Sequence, residues 1–124
     1  MIIKGTKLFS LDNSGSRKVE CIHVYGHNSK KAFHGDLLAV SVKKLKHNVP
    51  KKRVKKGQIV LGLVLSTRFK TSRSGGTFFR GIHNAVTLLD KGMAPLCNRL
   101  SMVAPYELKK KGFDKIVAIS RGLI

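Results

Sequence analysis

The chain has few acidic residues and few cysteines for its length. Its 124 residues include 6 Asp and Glu against 25 Lys and Arg, which gives a formal net charge of +19. The two cysteines, Cys21 and Cys97, are too few for the disulfide framework of a small secreted domain, and they fit a reducing compartment. We therefore expect two unbridged thiols that bind no metal.

Long hydrophobic runs are also missing, and we expect no targeting signal. The longest apolar runs, such as IVLGLVL, are far too short to cross a bilayer. The stretch MIIKGTKLFSLDNS has no basic segment followed by a long apolar one, as a signal peptide would, and it is too short for a transit peptide. The chain is expected to act in the compartment where it is made, without a membrane partner.

Recognisable catalytic and metal-binding patterns are absent as well. No acid pairs with a His or Ser in a known spacing, and no phosphate-cradling loop occurs. The segment CIHVYGH places Cys21, His23 and His27 close together, with His34 and Cys97 elsewhere, but a structural zinc site normally needs two such pairs. We expect buried cysteines, surface histidines, no cofactor and no enzymatic activity.

The positive charge is concentrated in the middle of the chain. Between Asp36 and Asp90 there is no acid, whereas 12 Lys or Arg lie there. Such self-repulsion disfavours a compact chain unless a polyanion neutralises it, and the common polyanions are nucleic acid, an anionic membrane surface and acidic protein. Since 42% of the residues are hydrophobic, we expect one folded domain over residues 1–124.

Short strand-like segments separated by turns run through the chain. TKLFSLDNSG and KVECIHVYG alternate apolar and polar residues, GDLLAVSVKK and QIVLGLVLST are β-rich runs, and TFFR and AVTLLD are shorter candidates. This spacing favours an all-β barrel or sandwich. Residues 72–76, SRSGG, predict the tip of a second hairpin. Pro105 followed by YELKKKG predicts a short helix, whereas FDKIVAIS is expected to return to a strand.

The basic segment from Ser41 to Lys56, in which 8 of 16 residues are Lys or Arg, is the strongest functional signal. Two weaker interpretations are a solvated surface hairpin and a nuclear-localisation signal, a pattern that any basic run matches. The density of charge favours phosphate contacts, which gain affinity by counterion release. Pro50 stiffens the segment and biases Val49 towards an extended form, so we expect a semi-extended ribbon that reaches into a nucleic-acid groove.

The segment RFKTSRSGGTFFR mixes aromatic and basic side chains. Aromatic rings among cations can stack on unpaired bases. The alternative is that one or two of Phe69, Phe78 and Phe79 close the end of the barrel. Of the three, Phe69 is the better candidate for exposure.

A series of segments resembles a universal ribosomal protein family. DNSGSRKVECIHV is similar to its Asp-Asn-Ser-Gly-Ala-Arg segment, and the match continues through GDLLAVSVKK, VKKGQIVLGLVLSTRFK, the Gly-Gly hairpin tip, HNAVTLLD, PLCNRLSMVAPYEL and FDKIVAIS. The chain is identified as a member of the large-subunit ribosomal protein fourteen family. The resemblance implies a small closed five-stranded barrel with a protruding basic β-ribbon over about residues 1–90, and a segment with short helices over about residues 91–124.

The resemblance also implies a structural role in the large ribosomal subunit. Members bind large-subunit rRNA, contribute to a bridge to small-subunit rRNA, pack beside neighbouring large-subunit proteins and offer a dock for an anti-association factor. Residues 12–15 are implied to form a structural turn. The expected rRNA-binding residues are Arg17, Lys18, Lys43, Lys44, Lys46, Lys51, Lys52, Arg53, Lys55, Lys56, Arg68, Lys70, Arg73 and Arg80. The expected intersubunit edge is Asn98, Arg99 and Lys115.

The chain departs from the family pattern in a few places. Gly81, Ile82 and His83 replace an aromatic and acidic residues before Asn-Ala, and the surroundings of Arg99 differ. With the high Lys content, these changes favour an organelle-encoded member in the mitochondrial matrix, and a bacterial cytoplasmic member is the alternative. The alternative function is a free basic β-barrel RNA-binding module, acting as an RNA chaperone or translational regulator.

Overall fold

A computed structural model describes residues 1–26 and 30–124. It contains a five-stranded closed barrel, a separate two-stranded hairpin and two short helices. The strands are β1 (Lys7–Ser10), β2 (Ser16–Val24), β3 (Leu37–Leu45), β4 (Ile59–Ser66), β5 (Thr71–Ser72), β6 (Phe78–Phe79) and β7 (Ala85–Leu89), and the helices are α1 (Tyr106–Lys110) and α2 (Asp114–Ile119). The predicted all-β class, with a small closed barrel and short helices, is confirmed.

The barrel closes in the order β1, β2, β3, β4, β7. Neighbouring strands run antiparallel, except that β1 and β7 pair in parallel, with Phe9 opposite Ala85. The start of β2 pairs with the end of β3, so that Ser16 lies opposite Leu45. The turn before β2 and the loop after β3 therefore meet at one end of the barrel.

Two apolar layers share strands β4 and β7. Successive side chains of a strand point to opposite faces, and the chain buries both faces here. Val64 and Val86 belong to the cluster inside the barrel, whereas Leu63, Leu65 and Leu89 pack outward against the C-terminal segment. This double burial explains why IVLGLVL reads as a continuous apolar run instead of an alternation.

The C-terminal segment contains two short helices, as the resemblance implies. Helix α1 follows Pro105 and ends before Gly112, which adopts a φ of 85°, as predicted. The expectation of a strand in FDKIVAIS is wrong, because residues Asp114–Ile119 form α2. Phe113, Ile116 and Val117 lie on one helical face and pack on the outer apolar layer, and this burial outweighs the strand preference of β-branched residues. Neither helix is long and apolar enough to cross a membrane, nor is any other helix in the described residues.

The hairpin of β5 and β6 forms at the predicted place. Its tip is a single 3-10 turn over Ser74–Gly76, where Gly75 and Gly76 have φ angles of 81° and 76°. Positive φ angles of this kind are readily adopted by glycine. The hairpin is the two-stranded ribbon of this fold, and it carries basic residues on both sides of its tip.

Candidate nucleic-acid interface

A basic cleft lies at the end of the barrel where β2 begins and β3 ends. Pairing of Lys18 with Lys44 sets the start of β2 beside the last residues of β3. The loop over residues 46–58 completes the wall. The cleft has a volume of about 470 Å³ and is lined by Arg17, Lys43, Lys44, Leu45, His47, Lys52 and Lys56. The fold thus joins expected phosphate ligands from two strands and a loop into one concave surface.

The loop over residues 46–58 is folded back on the barrel end, and it contains no strand. Val54 is buried and belongs to the barrel core. The amide of Arg53 donates to the carbonyl of Ser14 at 2.9 Å, and the amide of Lys46 donates to that of Gly15 at 2.8 Å. The expectation of a semi-extended ribbon here is wrong, because these anchors hold the loop against the turn over residues 12–15.

Few carboxylates in the described residues oppose the charge of the cleft. Glu20 lies 3.8 Å from the Lys43 ammonium, and both groups are partly exposed, so the pair is weak. The buried Asp12 carboxylate accepts hydrogen bonds from the Leu88 amide at 2.9 Å and from the Ser14 hydroxyl at 2.6 Å. The remaining cations of the cleft are therefore available for an external polyanion.

Besides Lys43, four expected phosphate ligands have closer partners within the chain. Lys46 Nζ donates to the carbonyl of Asp12 at 2.7 Å, and Arg68 Nε donates to the carbonyl of Ile82 at 3.0 Å. The guanidinium of Arg53 donates to the carbonyl of Leu96 at 2.6 Å. The fourth, Arg73, forms an ion pair, described next. In these residues some of the N–H donors already bind acceptors within the protein, so fewer donors remain for phosphates.

Arg73 ties the hairpin to helix α1. Its Nε and Nη2 donate to the two carboxylate oxygens of Glu107 at 2.7 and 2.8 Å, and its guanidinium stacks on Phe79 at 4.6 Å from the ring centroid. Burial raises the pKa of Glu107, but the hydrogen bonds and the charge of Arg73 outweigh it, and the pKa is lowered. The same bonds raise the pKa of Arg73. Arg73 therefore orients the hairpin, which sequence alone did not predict.

His34 is a second anchor of the hairpin and was expected on the surface. It is buried, with 2% of its surface exposed. Its Nε2 accepts from the Thr67 amide at 3.1 Å, so Nδ1 carries the proton and donates to the Thr71 hydroxyl at 2.7 Å. Burial lowers the pKa of His34 to about 4. The neutral ring thus joins the end of β4 to the start of β5, and no local pattern marks that role.

The hairpin presents one exposed ring next to cations. Phe78 is 65% exposed, and Lys70 Nζ lies 5.8 Å from its ring centroid. Phe69 is also exposed, as expected, whereas Phe79 is half-buried against His34. Arg80, at the end of β6, is exposed. Phe78 is therefore more exposed than Phe69, and one of the three rings, Phe79, packs inward.

Asn98 and Arg99 lie together beside the turn over residues 12–15, and both are exposed. Their amides donate to Asn13 Oδ1 at 3.0 and 3.3 Å. Lys115 is exposed on α2, where it lines a groove with Met93, and no hydrogen bond within the described residues joins it to Arg99. The structure thus groups two of the three expected edge residues and adds Asn13 beneath them.

The cysteines and histidines do not converge. Cys21 and Cys97 are buried free thiols, and burial raises the pKa of both, helped at Cys97 by the charge of Asp12. A bulge between Cys21 and His23 leaves the first buried and the second exposed. His27 lies outside the described residues. Within the described part of the chain, no group of three potential metal ligands occurs.

Comparison with protein families gives a match over the whole chain. The family model described as ribosomal protein L14p/L23e matches residues 1–124. The match therefore includes the barrel, the basic cleft, the hairpin and the segment around Arg99.

Proposed function

The chain belongs to the ribosomal protein L14p/L23e family and is thus a structural protein of the large ribosomal subunit that binds rRNA, and we propose that its basic cleft is the surface that holds the rRNA backbone. The observation that carries this proposal is the convergence of Arg17, Lys43, Lys44, Lys52 and Lys56 around one concave surface. Cations that neutralise phosphates release counterions and need no base sequence. The loop lysines Lys51 and Lys55 are exposed beside the cleft and extend this surface.

The hairpin is proposed as a second rRNA contact. Lys70 and Arg80 are exposed on it, and Phe78 offers an open ring face on which an unpaired base can stack. Arg73 and His34 hold the hairpin in one orientation through the bonds described above. A fixed platform loses less conformational entropy on binding than a mobile one.

The segment with Asn98 and Arg99 is proposed as the edge that faces small-subunit rRNA. Its backbone is fixed by Asn13, and the Arg99 side chain is exposed. A cation on a fixed backbone suits contact with RNA phosphates across an interface. Lys115 is proposed as a separate cation of the same subunit interface. An anti-association factor and neighbouring ribosomal proteins are further proposed partners, and the family resemblance alone supports them.

The mitochondrial ribosome is the proposed location. The high Lys content and the replacement of acidic residues near His83 support it. Fractionation of cells that express the chain tests this proposal. Recovery of the chain with cytoplasmic ribosomes, and none with mitochondrial ones, would contradict it.

Charge reversals followed through subunit assembly test the two proposed surfaces. Lys44→Glu places an acid in the cleft and is expected to reduce incorporation into large subunits. Arg99→Glu is expected to leave incorporation intact and to weaken joining with small subunits, because like charges then meet across the interface. Lys4→Glu reverses an exposed charge elsewhere and serves as the matched control.

Sucrose-gradient profiles separate the outcomes. If Lys44→Glu is incorporated as well as Lys4→Glu, the cleft is not the rRNA surface. If Arg99→Glu blocks incorporation while the particles that form still join normally, the edge has been assigned wrongly.

A further inference from the structure

The turn over residues 12–15 lies between the basic loop and the segment of Asn98 and Arg99, and it is bonded to both. On one side, Asn13 Oδ1 accepts the amides of Asn98 and Arg99 at 3.0 and 3.3 Å. Two amide donors at one oxygen fix which way the Asn13 side chain faces. The turn therefore sets the backbone position of the proposed intersubunit edge.

On its other side the turn holds the basic loop. The carbonyls of Ser14 and Gly15 accept the amides of Arg53 and Lys46 at 2.9 and 2.8 Å. A Cβ at Gly15 would lie 2.9 Å from Lys52 Cγ, so the loop packs against the turn at a place where only glycine fits. Each of these contacts is lost if the loop swings away from the barrel.

Arg53 joins the loop to the edge directly. Its Nη1 donates to the carbonyl of Leu96 at 2.6 Å, and its Nη2 donates to Asn98 Oδ1 at 3.3 Å. The planar guanidinium can make both bonds at once, whereas an ammonium cannot reproduce this fork. Arg53 therefore differs from the neighbouring lysines, since its donors point at the edge segment.

The turn itself is fixed to the barrel, so it is a firm base against which the loop docks. Asp12 accepts from the hydroxyls of Ser10 and Ser14 at 2.8 and 2.6 Å and from the Leu88 amide at 2.9 Å. The loop carries Lys51, Lys52, Lys55 and Lys56 close together, and the repulsion between these like charges opposes the anchors that dock it. Phosphates that bind these lysines remove the repulsion and favour the docked loop.

We propose that Arg53 is a positioning residue that couples RNA occupancy of the basic loop to the order of the edge at residues 96–99, which Asn13 holds to the turn. RNA on the loop lysines stabilises the docked loop, and the docked loop holds Leu96 and Asn98 through Arg53. The edge is then set most firmly when the chain is seated on rRNA. The functional meaning of this coupling rests on the proposed intersubunit role, whereas the coupling itself does not.

Hydrogen exchange of the Asn98 and Arg99 amides in the full chain tests the coupling, with a short RNA duplex of arbitrary sequence as the probe. In the unaltered chain, saturating RNA is expected to slow exchange of these two amides by about fivefold or more, the lower end of common coupling effects. Arg53→Lys keeps the charge but cannot make the bonds to both Leu96 and Asn98. The two amides should exchange faster in this variant, and RNA should protect them less.

Lys55→Gln is the matched control in the same loop. Its side chain is exposed, so this variant should reduce the salt dependence of RNA binding without speeding exchange of the two amides in the free chain. Asn13→Ala should speed their exchange with or without RNA. Exchange of the β3 and β4 amides shows whether each variant is folded.

The coupling is wrong if RNA leaves the two amides unchanged in the unaltered chain, or if Arg53→Lys and Lys55→Gln behave alike. The intersubunit role is tested separately by subunit joining of Arg99→Glu. If large subunits with Arg99→Glu join small subunits normally and the amides exchange as expected, the proposed role of the edge is wrong and the coupling still holds.

Discussion

Removing the four free charges of the basic loop should weaken RNA binding without unfolding the barrel. The variant replaces Lys51, Lys52, Lys55 and Lys56 with Gln together. Their side chains are exposed and make no hydrogen bond or ion pair within the described residues. Gln retains Cβ and Cγ, which in Lys52 pack against Gly15. Buried Val54 and the bonds of Arg53 stay in place, so the loop keeps its anchors.

The expected effect follows from counterion release. Each phosphate contact contributes roughly 0.7 to 0.9 to the slope of log affinity against log salt. Loss of four contacts should lower the slope by about 3. If counterion release is the only contribution, the affinity at about 0.1 M salt should fall by about a thousandfold. The fall is smaller where Arg17, Lys43 or Lys44 takes over a phosphate.

Fluorescence anisotropy of a labelled RNA duplex, titrated at several salt concentrations, measures the slope. A second variant replaces Lys4, Lys91, Lys109 and Lys110 with Gln. It has the same net charge, but its substitutions lie outside the cleft, and its slope should stay near that of the unaltered chain. If both variants lose slope equally, net charge and not the cleft determines binding. An unchanged slope in the loop variant would also refute the reasoning.

Two further predictions concern the hairpin. Phe78→Ala should weaken binding of single-stranded RNA by about 1–3 kcal/mol, the usual contribution of one stacked base, whereas Phe78→Tyr should bind as the unaltered chain does. Binding of duplex RNA should stay unchanged in gel-shift assays, and equal losses on both RNAs would argue against stacking. The pKa of His34 is lowered to about 4. Below about pH 6.5 the unfolded chain therefore binds a proton at this residue, whereas the folded chain does not until the pH approaches 4. Stability should therefore fall as pH drops from 6.5 to 4, by about 3 kcal/mol from this residue. Urea unfolding of His34→Gln should show a flatter pH dependence over that window, and an unchanged dependence would contradict the assignment.

Local patterns predicted strands β1, β2 and β3 because burial follows the alternation there. In β2, Val19, Cys21 and Val24 are buried, and the bulge after Cys21 shifts the alternation by one residue. The helix α2 could not be recognised in this way. Ile116 and Val117 suit a strand equally well, and the outer apolar layer against which they pack comes from residues far away in sequence.

The sequence pattern located the basic region but not the role of each basic residue in it. Runs of Lys and Arg identify a cationic region, since phosphate binding needs only charge. They do not tell a free cation from one with an internal partner. Arg53 bonds to Leu96 and Arg73 to Glu107 across 43 and 34 residues of sequence, so the distinction depends on tertiary contacts. His34 was missed for the same reason, because Thr67 and Thr71 become its neighbours only in the folded chain.

The way the loop is anchored explains how so much like charge can lie between two strands of one core. The loop is held by hydrogen bonds to the backbone carbonyls of Asp12, Ser14 and Leu96. Carbonyl oxygens carry no net charge, so they accept these bonds without neutralising the cations. Two carboxylates that do form close ion pairs, Asp36 and Glu107, bind Lys111 and Arg73, outside the residues that line the cleft. A carboxylate tether would fix the loop equally well, but it would neutralise charge that phosphates are expected to meet. Anchoring by neutral oxygens therefore holds the loop in place and preserves its electrostatic attraction for RNA.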